Sequence, residues 1–123
     1  MEKLDRINSI TIVGAGSWGT AVAKAIGESK PHINVRMWAY EKSVASSINK
    51  RRINEMYLPG ISLPRSIYAT TSLREALLGS STVIISTPSK VVYDTCLRMS
   101  KYLAQDIHIG YLSKGFFKIN NEV

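Results

Sequence analysis

The chain has 123 residues, enough for one domain with a buried core, and its 45% apolar and 20% charged residues are ordinary for a water-soluble fold. No apolar run approaches the ~20 residues that span a bilayer. The charged start, Met1-Glu2-Lys3-Leu4-Asp5-Arg6, has no signal-peptide core, and the lone Cys96 excludes an internal disulfide and a cysteine metal cluster. An intracellular, cytoplasmic protein is the simplest expectation. The net charge of +7, from 16 basic and 9 acidic residues, raises nucleic acid as a partner. Against this, the basic residues are scattered apart from Lys50-Arg51-Arg52, and there is no zinc pattern, no RNP-type motif and no aromatic-basic interleaving. The run reads as a solvated helix end, and the positive balance as suited to small anionic ligands.

Ile10 to Val13 is a short β-branched run that reads as a buried strand. Gly14-Ala15-Gly16-Ser17-Trp18-Gly19 follows at once in G-x-G-x-x-G spacing, and Thr20 to Ile26 carries apolar residues at helical spacing. Gly14 permits the tight turn, Gly16 removes a Cβ where a pyrophosphate would press on the backbone, and Gly19 lets the helix pack close to the sheet. The helix start offers unpaired N–H groups and the positive end of a dipole. Gly27-Glu28-Ser29-Lys30-Pro31 reads as the helix stop.

Ile33 to Ala39 alternates apolar and polar residues and predicts a second strand, ending at Tyr40-Glu41. Glu41 lies about 20 residues beyond Gly19, where a dinucleotide fold places an acid for the adenosine ribose hydroxyls. A carboxylate there repels a 2′-phosphate and favours NAD, although adjacent Lys42 leaves NADP possible. Ser43 to Arg51 predicts a helix with Val44, Ala45 and Ile48 on one face, and Arg52 to Arg65 a long irregular segment containing the Pro59-Gly60 turn. Ile67 to Ala69 is a short third strand. Ser72-Leu73-Arg74-Glu75 is a capping box opening a helix that buries Leu73, Ala76 and Leu77 and closes at Gly79.

Thr82 to Ser86 is a continuous apolar run of the kind found in central parallel strands. Pro88-Ser89 follows, with Ser89 placed to cap a helix in which Val92, Thr95, Cys96, Met99 and Leu103 keep helical spacing. Cys96 on that stripe reads as core. Ile107 to Leu112 is a fifth strand. His32, in a loop, and His108, alternating with isoleucines, do not read as catalytic.

Strands alternating with helices in this order predict an α/β fold: a Rossmann-type, doubly wound parallel sheet of about five strands in order 3-2-1-4-5, incomplete in its second half. Gly14–Trp18, Tyr40–Glu41, Thr87–Ser89 and Ser113–Lys114 all fall at the carboxyl ends of the strands and outline one cleft at the switch point.

With these segments in place, the chain resembles the NAD-dependent glycerol-3-phosphate dehydrogenase family. The matching pieces are Gly-Ala-Gly-Ser-Trp-Gly-Thr-Ala at 14–21, Met-Trp-Ala-Tyr-Glu at 37–41, Tyr-Leu-Pro-Gly at 57–60, Ala-Thr-Thr-Ser-Leu at 69–73, Thr-Pro-Ser at 87–89 and Leu-Ser-Lys-Gly-Phe at 112–116. They cover nearly the whole chain in the family's order. The resemblance implies hydride transfer between NAD(H) and sn-glycerol 3-phosphate or dihydroxyacetone phosphate. It implies that Gly14, Gly16, Ser17, Trp18, Gly19, Tyr40, Glu41, Tyr57 and Pro88 bind the cofactor, with Ser17 and Trp18 beside the pyrophosphate, Tyr40 near the adenosine and Tyr57 closing over it. Val91 stands where some members carry a phenylalanine.

Lys114 resembles the family's active-site lysine, which serves cofactor, substrate and catalysis by polarising a ketone oxygen and attracting the phosphate. Residues 1–123 are expected to be the N-terminal part of a dinucleotide-binding domain, with the substrate domain outside this chain, no turnover by the chain alone, and a homodimeric whole protein. The alternatives at this point are a binding-only NAD(P)-sensing module and a dehydrogenase for another small hydroxy substrate.

Overall fold

The structure is a computed structural model that describes residues 9–103 and 106–112. Five strands form one parallel sheet: β1 (Ser9–Val13), β2 (Asn34–Trp38), β3 (Ile67–Thr70), β4 (Thr82–Ile85) and β5 (His108–Tyr111), in spatial order β3-β2-β1-β4-β5. The helices are α1 (Ser17–Ser29), α2 (Lys42–Ser46), α3 (Leu73–Leu77) and α4 (Ser89–Met99). This is the predicted order, and the reversal of direction between β1 and β4 is the switch point.

Strand alternation divides the core into two layers, one on each face of the sheet. Ile10 and Ile12 of β1, and Val35 and Met37 of β2, join Ala23 of α1 and Val44, Ala45 and Ile48 on one face. Val13, Trp38, Val83 and Ile85 point to the other face, against Leu73, Ala76, Leu77 and Met99. Thr11 also lies on that second face, where its hydroxyl bonds the Ala76 carbonyl and the Ser80 hydroxyl. A polar residue in the central strand is tolerated there because both its partners are built in.

Helix α1 ends at Ser29 with Lys30 as its C-cap, within the expected stop over 27–31. Gly27 is there for packing: a Cβ would lie 2.9 Å from Pro64 Cγ, so the glycine admits the irregular segment against the helix. Several local expectations are corrected. The predicted helix over 43–51 is a single α turn, Lys42–Ser46, that widens into a π turn over Ser47–Arg51 and ends with Arg52 left-handed at φ 61°. Arg52 is held there by its guanidinium, which donates to the carbonyls of Pro64 (3.0 Å) and Ile67 (2.8 Å). Burial, and then the charge of Arg65, lower the pKa of that guanidinium from its ordinary value.

The capping box is also rearranged. Ser72 accepts from the Glu75 amide at 3.2 Å as expected, but Glu75 does not reach back directly. Its carboxylate accepts from the Thr70 hydroxyl, which itself accepts from the Ser72 amide. The N-cap position of α4 falls on Pro88 and not on Ser89, which is the first residue of the helix. The buried positions of α4 are Thr95 and Met99; Cys96 is exposed, one residue round the helix from the stripe.

The sheet edge at β3 is closed by a side chain. Asn49 donates through Nδ2 to the Ala69 carbonyl (2.7 Å) and accepts from the Ala69 amide through Oδ1 (2.8 Å), reproducing the pair of bonds a neighbouring strand would make. Asn49→Ala should lower stability by about 1–3 kcal/mol, since it strands both backbone groups of a buried residue. Chemical denaturation monitored by circular dichroism checks this.

Candidate functional site

The parallel register sets the carboxyl ends of the strands level: Val13 opposite Trp38 and Ile85, Ile85 opposite Tyr111, and Trp38 opposite Thr70. Every loop leaving these residues therefore opens at the same end of the sheet. The first is the glycine turn. The Gly14 amide donates to the Trp38 carbonyl at 3.0 Å, which ties the turn to β2. Beneath it, the Ser86 hydroxyl donates to the carbonyls of Val13 and Gly14, at 3.3 and 3.1 Å.

The three glycines have three different surroundings. Gly14 has φ +120°, and a Cβ there would lie 2.8 Å from Ser86 Oγ. At Gly19 a Cβ would overlap the Gly14 carbonyl oxygen and Ser86 Oγ, so α1 lies directly on the turn. At Gly16 a Cβ would meet nothing within 4 Å, which leaves open space above the backbone. Gly16 is the N-cap of α1, the first turn of the helix carries no acidic residue, and the first backbone bond runs from the Thr20 amide to the Gly16 carbonyl at 3.0 Å. The amides before Thr20 face this opening without intrahelical partners, at the positive end of a 13-residue helix. Ser17 is half-buried and Trp18 is 49% exposed at the same place.

At the end of β2, Trp38 is buried and pinned by its indole N–H to the Thr71 carbonyl at 3.0 Å, with the Arg98 guanidinium 5.3 Å from the ring centroid. Tyr40 packs on it with ring centroids 4.5 Å apart and is 54% exposed toward the cleft end of the sheet. Glu41 is the N-cap residue of α2, yet its side chain does not cap the helix. Its carboxylate accepts a hydrogen bond from the Tyr57 phenol at 2.8 Å. That bond raises the phenol's pKa above its ordinary value, with smaller contributions from desolvation and from the charge of Glu41.

Tyr57 belongs to the irregular segment, and what fixes that segment is Asn54, a residue the sequence reading did not single out. Asn54 is fully buried. Its Nδ2 donates to the Ala15 carbonyl (2.9 Å) and to Thr20 Oγ1 (2.9 Å), and its Oδ1 accepts from the Tyr57 amide (3.1 Å). A loop asparagine has no periodicity to betray it, and although the Tyr57 amide is three residues on, the two groups it donates to lie 39 and 34 positions away in the chain.

At the end of β4 the buried Thr87 hydroxyl has no hydrogen-bond partner among the described residues. Pro88 follows, its carbonyl accepting from the Val91 amide at 3.0 Å, and Val91 is half-buried at the start of α4. The structure thus brings Gly14, Gly16, Ser17, Trp18, Gly19, Tyr40, Glu41, Tyr57 and Pro88 to one end of the sheet. Lys114 lies outside the described residues; the last described backbone bond before it runs from the Leu112 amide to the Ile85 carbonyl at 2.7 Å.

The chain matches a family model described as NAD-dependent glycerol-3-phosphate dehydrogenase N-terminus over residues 9–123. The chain belongs to that family. It is 34% identical over 109 residues to a glycerol-3-phosphate dehydrogenase [NAD(P)+] of Bacillus pumilus, covering 89% of this chain and 31% of the relative. Among solved structures, the glycerol-3-phosphate dehydrogenase of Coxiella burnetii superposes with a TM-score of 0.81 at 31% identity, covering 89% of this chain and 33% of that one. The enzyme of Plasmodium falciparum gives 0.82 at 27% identity, covering 93% and 34%. The chain therefore spans about a third of the length of the relatives it matches.

The residues present fit a dinucleotide. Open space over Gly16 and unpartnered amides suit a pyrophosphate, and a carboxylate at the end of β2 suits ribose hydroxyls. The glycine surroundings also separate binding from folding. Gly16→Ala should cost less than about 1 kcal/mol, the scale of an N-cap change. Gly19→Ala should cost about 1–3 kcal/mol or more through overpacking against backbone. Thermal unfolding of the two variants without ligand checks the contrast.

Proposed function

We propose that this chain is the dinucleotide-binding part of an NAD-dependent glycerol-3-phosphate dehydrogenase whose substrate domain is carried by further sequence. The observation that supports this most is the glycine turn at the switch point, open at Gly16 and closed at Gly14 and Gly19. When bound, the cofactor supplies a nicotinamide that exchanges a hydride with C2 of sn-glycerol 3-phosphate or dihydroxyacetone phosphate.

The chain's own residues bind and orient. Amides at the start of α1, with Ser17 and Trp18, hold the pyrophosphate. Tyr40 lies along the adenosine, and Glu41 accepts from the ribose diol with the oxygen that Tyr57 leaves available. A 2′-phosphate brought to that carboxylate would be repelled, which supports NAD over NADP. Pro88 starts α4 beside the nicotinamide end. Lys114, following the fifth strand in sequence, places an ammonium where negative charge grows on the C2 oxygen and attracts the substrate phosphate. The acid–base partner lies in the substrate domain, so this chain alone binds without turning over. A cytoplasmic homodimer for the whole protein belongs to the same proposal.

Calorimetric titration of the chain should show NADH binding at least tenfold more tightly than NADPH. Gly16→Val should weaken NADH by tenfold or more, because its side chain fills the phosphate cradle. Tighter NADPH binding would overturn the cofactor choice. In the whole enzyme, Lys114→Ala should lower kcat/KM by about a hundredfold, the scale of one lost oxyanion donor. Unchanged turnover would point to a nucleotide-binding role without a catalytic Lys114.

A further inference from the structure

The turn that meets the phosphates and the carboxylate that meets the ribose are joined by one buried side chain. We infer that Asn54 is a positioning residue for the dinucleotide, aiming the Gly16 amide at the phosphates and holding Tyr57 on Glu41. This rests on the dinucleotide-site reading above and names the device that shapes that site.

The first half of the argument is peptide geometry. In a trans peptide the carbonyl and the following N–H point to opposite sides, and no cis peptide occurs among the described residues. Asn54 Nδ2 holds the Ala15 carbonyl inward at 2.9 Å, so the Gly16 N–H points away from Asn54, on a residue whose Cβ position has nothing within 4 Å. Thr20 completes the clamp: its hydroxyl accepts from the same Nδ2 at 2.9 Å and approaches the Ala15 carbonyl at 3.5 Å. Both Asn54 and Thr20 are fully buried, so water does not compete for these bonds.

The second half is the Tyr57 anchor. Oδ1 of the same amide accepts from the Tyr57 N–H at 3.1 Å, and the Asn54 carbonyl accepts from the Leu58 amide at 2.9 Å. The backbone of Tyr57 is thereby fixed although its ring is 38% exposed, and the phenol reaches Glu41 Oε2 at 2.8 Å. With one oxygen held, Glu41 presents the other in a defined direction. An aliphatic side chain at position 54 makes neither link. Aspartate keeps the acceptor, loses both donations and adds a buried charge beside the phosphate site.

The test has a ligand-independent arm and a binding arm. In the unaltered chain, the Tyr57 amide should exchange with deuterium at least a hundredfold more slowly than an open loop amide; exchange at the open-loop rate overturns the anchor. In Asn54→Ser and Asn54→Ala the phenol of Tyr57, followed by carbon-13 resonance and assigned with Tyr57→Phe, should titrate closer to its ordinary value; an unmoved titration in either folded variant also overturns it.

In the binding arm, Asn54→Ala should weaken NADH about tenfold or more, the equivalent of one buried hydrogen bond. Tyr57→Phe should weaken it less, and the double variant should fall no further than Asn54→Ala. A double variant whose loss equals the product of the single losses shows that Asn54 does not act through Tyr57. If the unaltered chain and the whole protein both fail to bind NADH, the dinucleotide reading fails, while the exchange and titration results still decide whether Asn54 sets Tyr57.

Discussion

The close contact between helix α1 and the turn that precedes it governs the rest of the molecule. At Gly19 the helix backbone lies against the Gly14 carbonyl and the Ser86 hydroxyl with no room for a Cβ. That contact fixes where α1 begins, and so where its unpaired amides point. It also ties β1 to β4, because Ser86 follows the last residue of β4 and bonds the carbonyls that end β1. The Ser86 amide donates to the Val13 carbonyl at 2.9 Å, so the hydroxyl extends a sheet already in register. The switch point is thus a packed joint whose tolerance is a fraction of a bond length.

From that joint outward the order decreases in a physically sensible way. The strands on either side of β1 are covered by two apolar layers, whereas all four residues of β5 are exposed, Ile109 and Tyr111 among them. The two edges of the sheet are handled differently: β3 is closed by the Asn49 amide, while β5 presents apolar side chains.

Much of this was legible in the sequence because it depends on local repetition. Apolar and β-branched runs marked strands, the alternation of strands with helices implied a parallel sheet with right-handed crossovers, and the glycine turn after the first strand led to the order 3-2-1-4-5. The glycine spacing marked the turn, and the roles read for Gly14, Gly16 and Gly19 agree with the room each one has. What was not legible came from packing in the folded chain. Gly27 falls in the expected helix stop, but its packing role is set by Pro64, whose Cγ a Cβ there would meet at 2.9 Å. Cys96 looked buried because it adjoins the stripe at Thr95, and one step round the helix exposes it. The Tyr57 phenol as a partner of Glu41, 16 positions away in the chain, was not legible.

The segment between α2 and β3 was the least legible, and the reason is instructive. It is ordered by side-chain amides that imitate backbone. Asn49 stands in for a strand at the edge of β3, and Asn54 binds a carbonyl and an amide as a neighbouring backbone unit would. Arg52, left-handed between them, satisfies two more carbonyls. Apart from the local Asn54–Tyr57 bond, these residues work through partners 12 or more positions away, so a short window of sequence does not contain them. A loop built this way can sit directly against the glycine turn with the Asn49 and Asn54 amides hydrogen-bonded. The buried link between the glycine turn and the Tyr57–Glu41 pair is thus made by a single side-chain amide, that of Asn54.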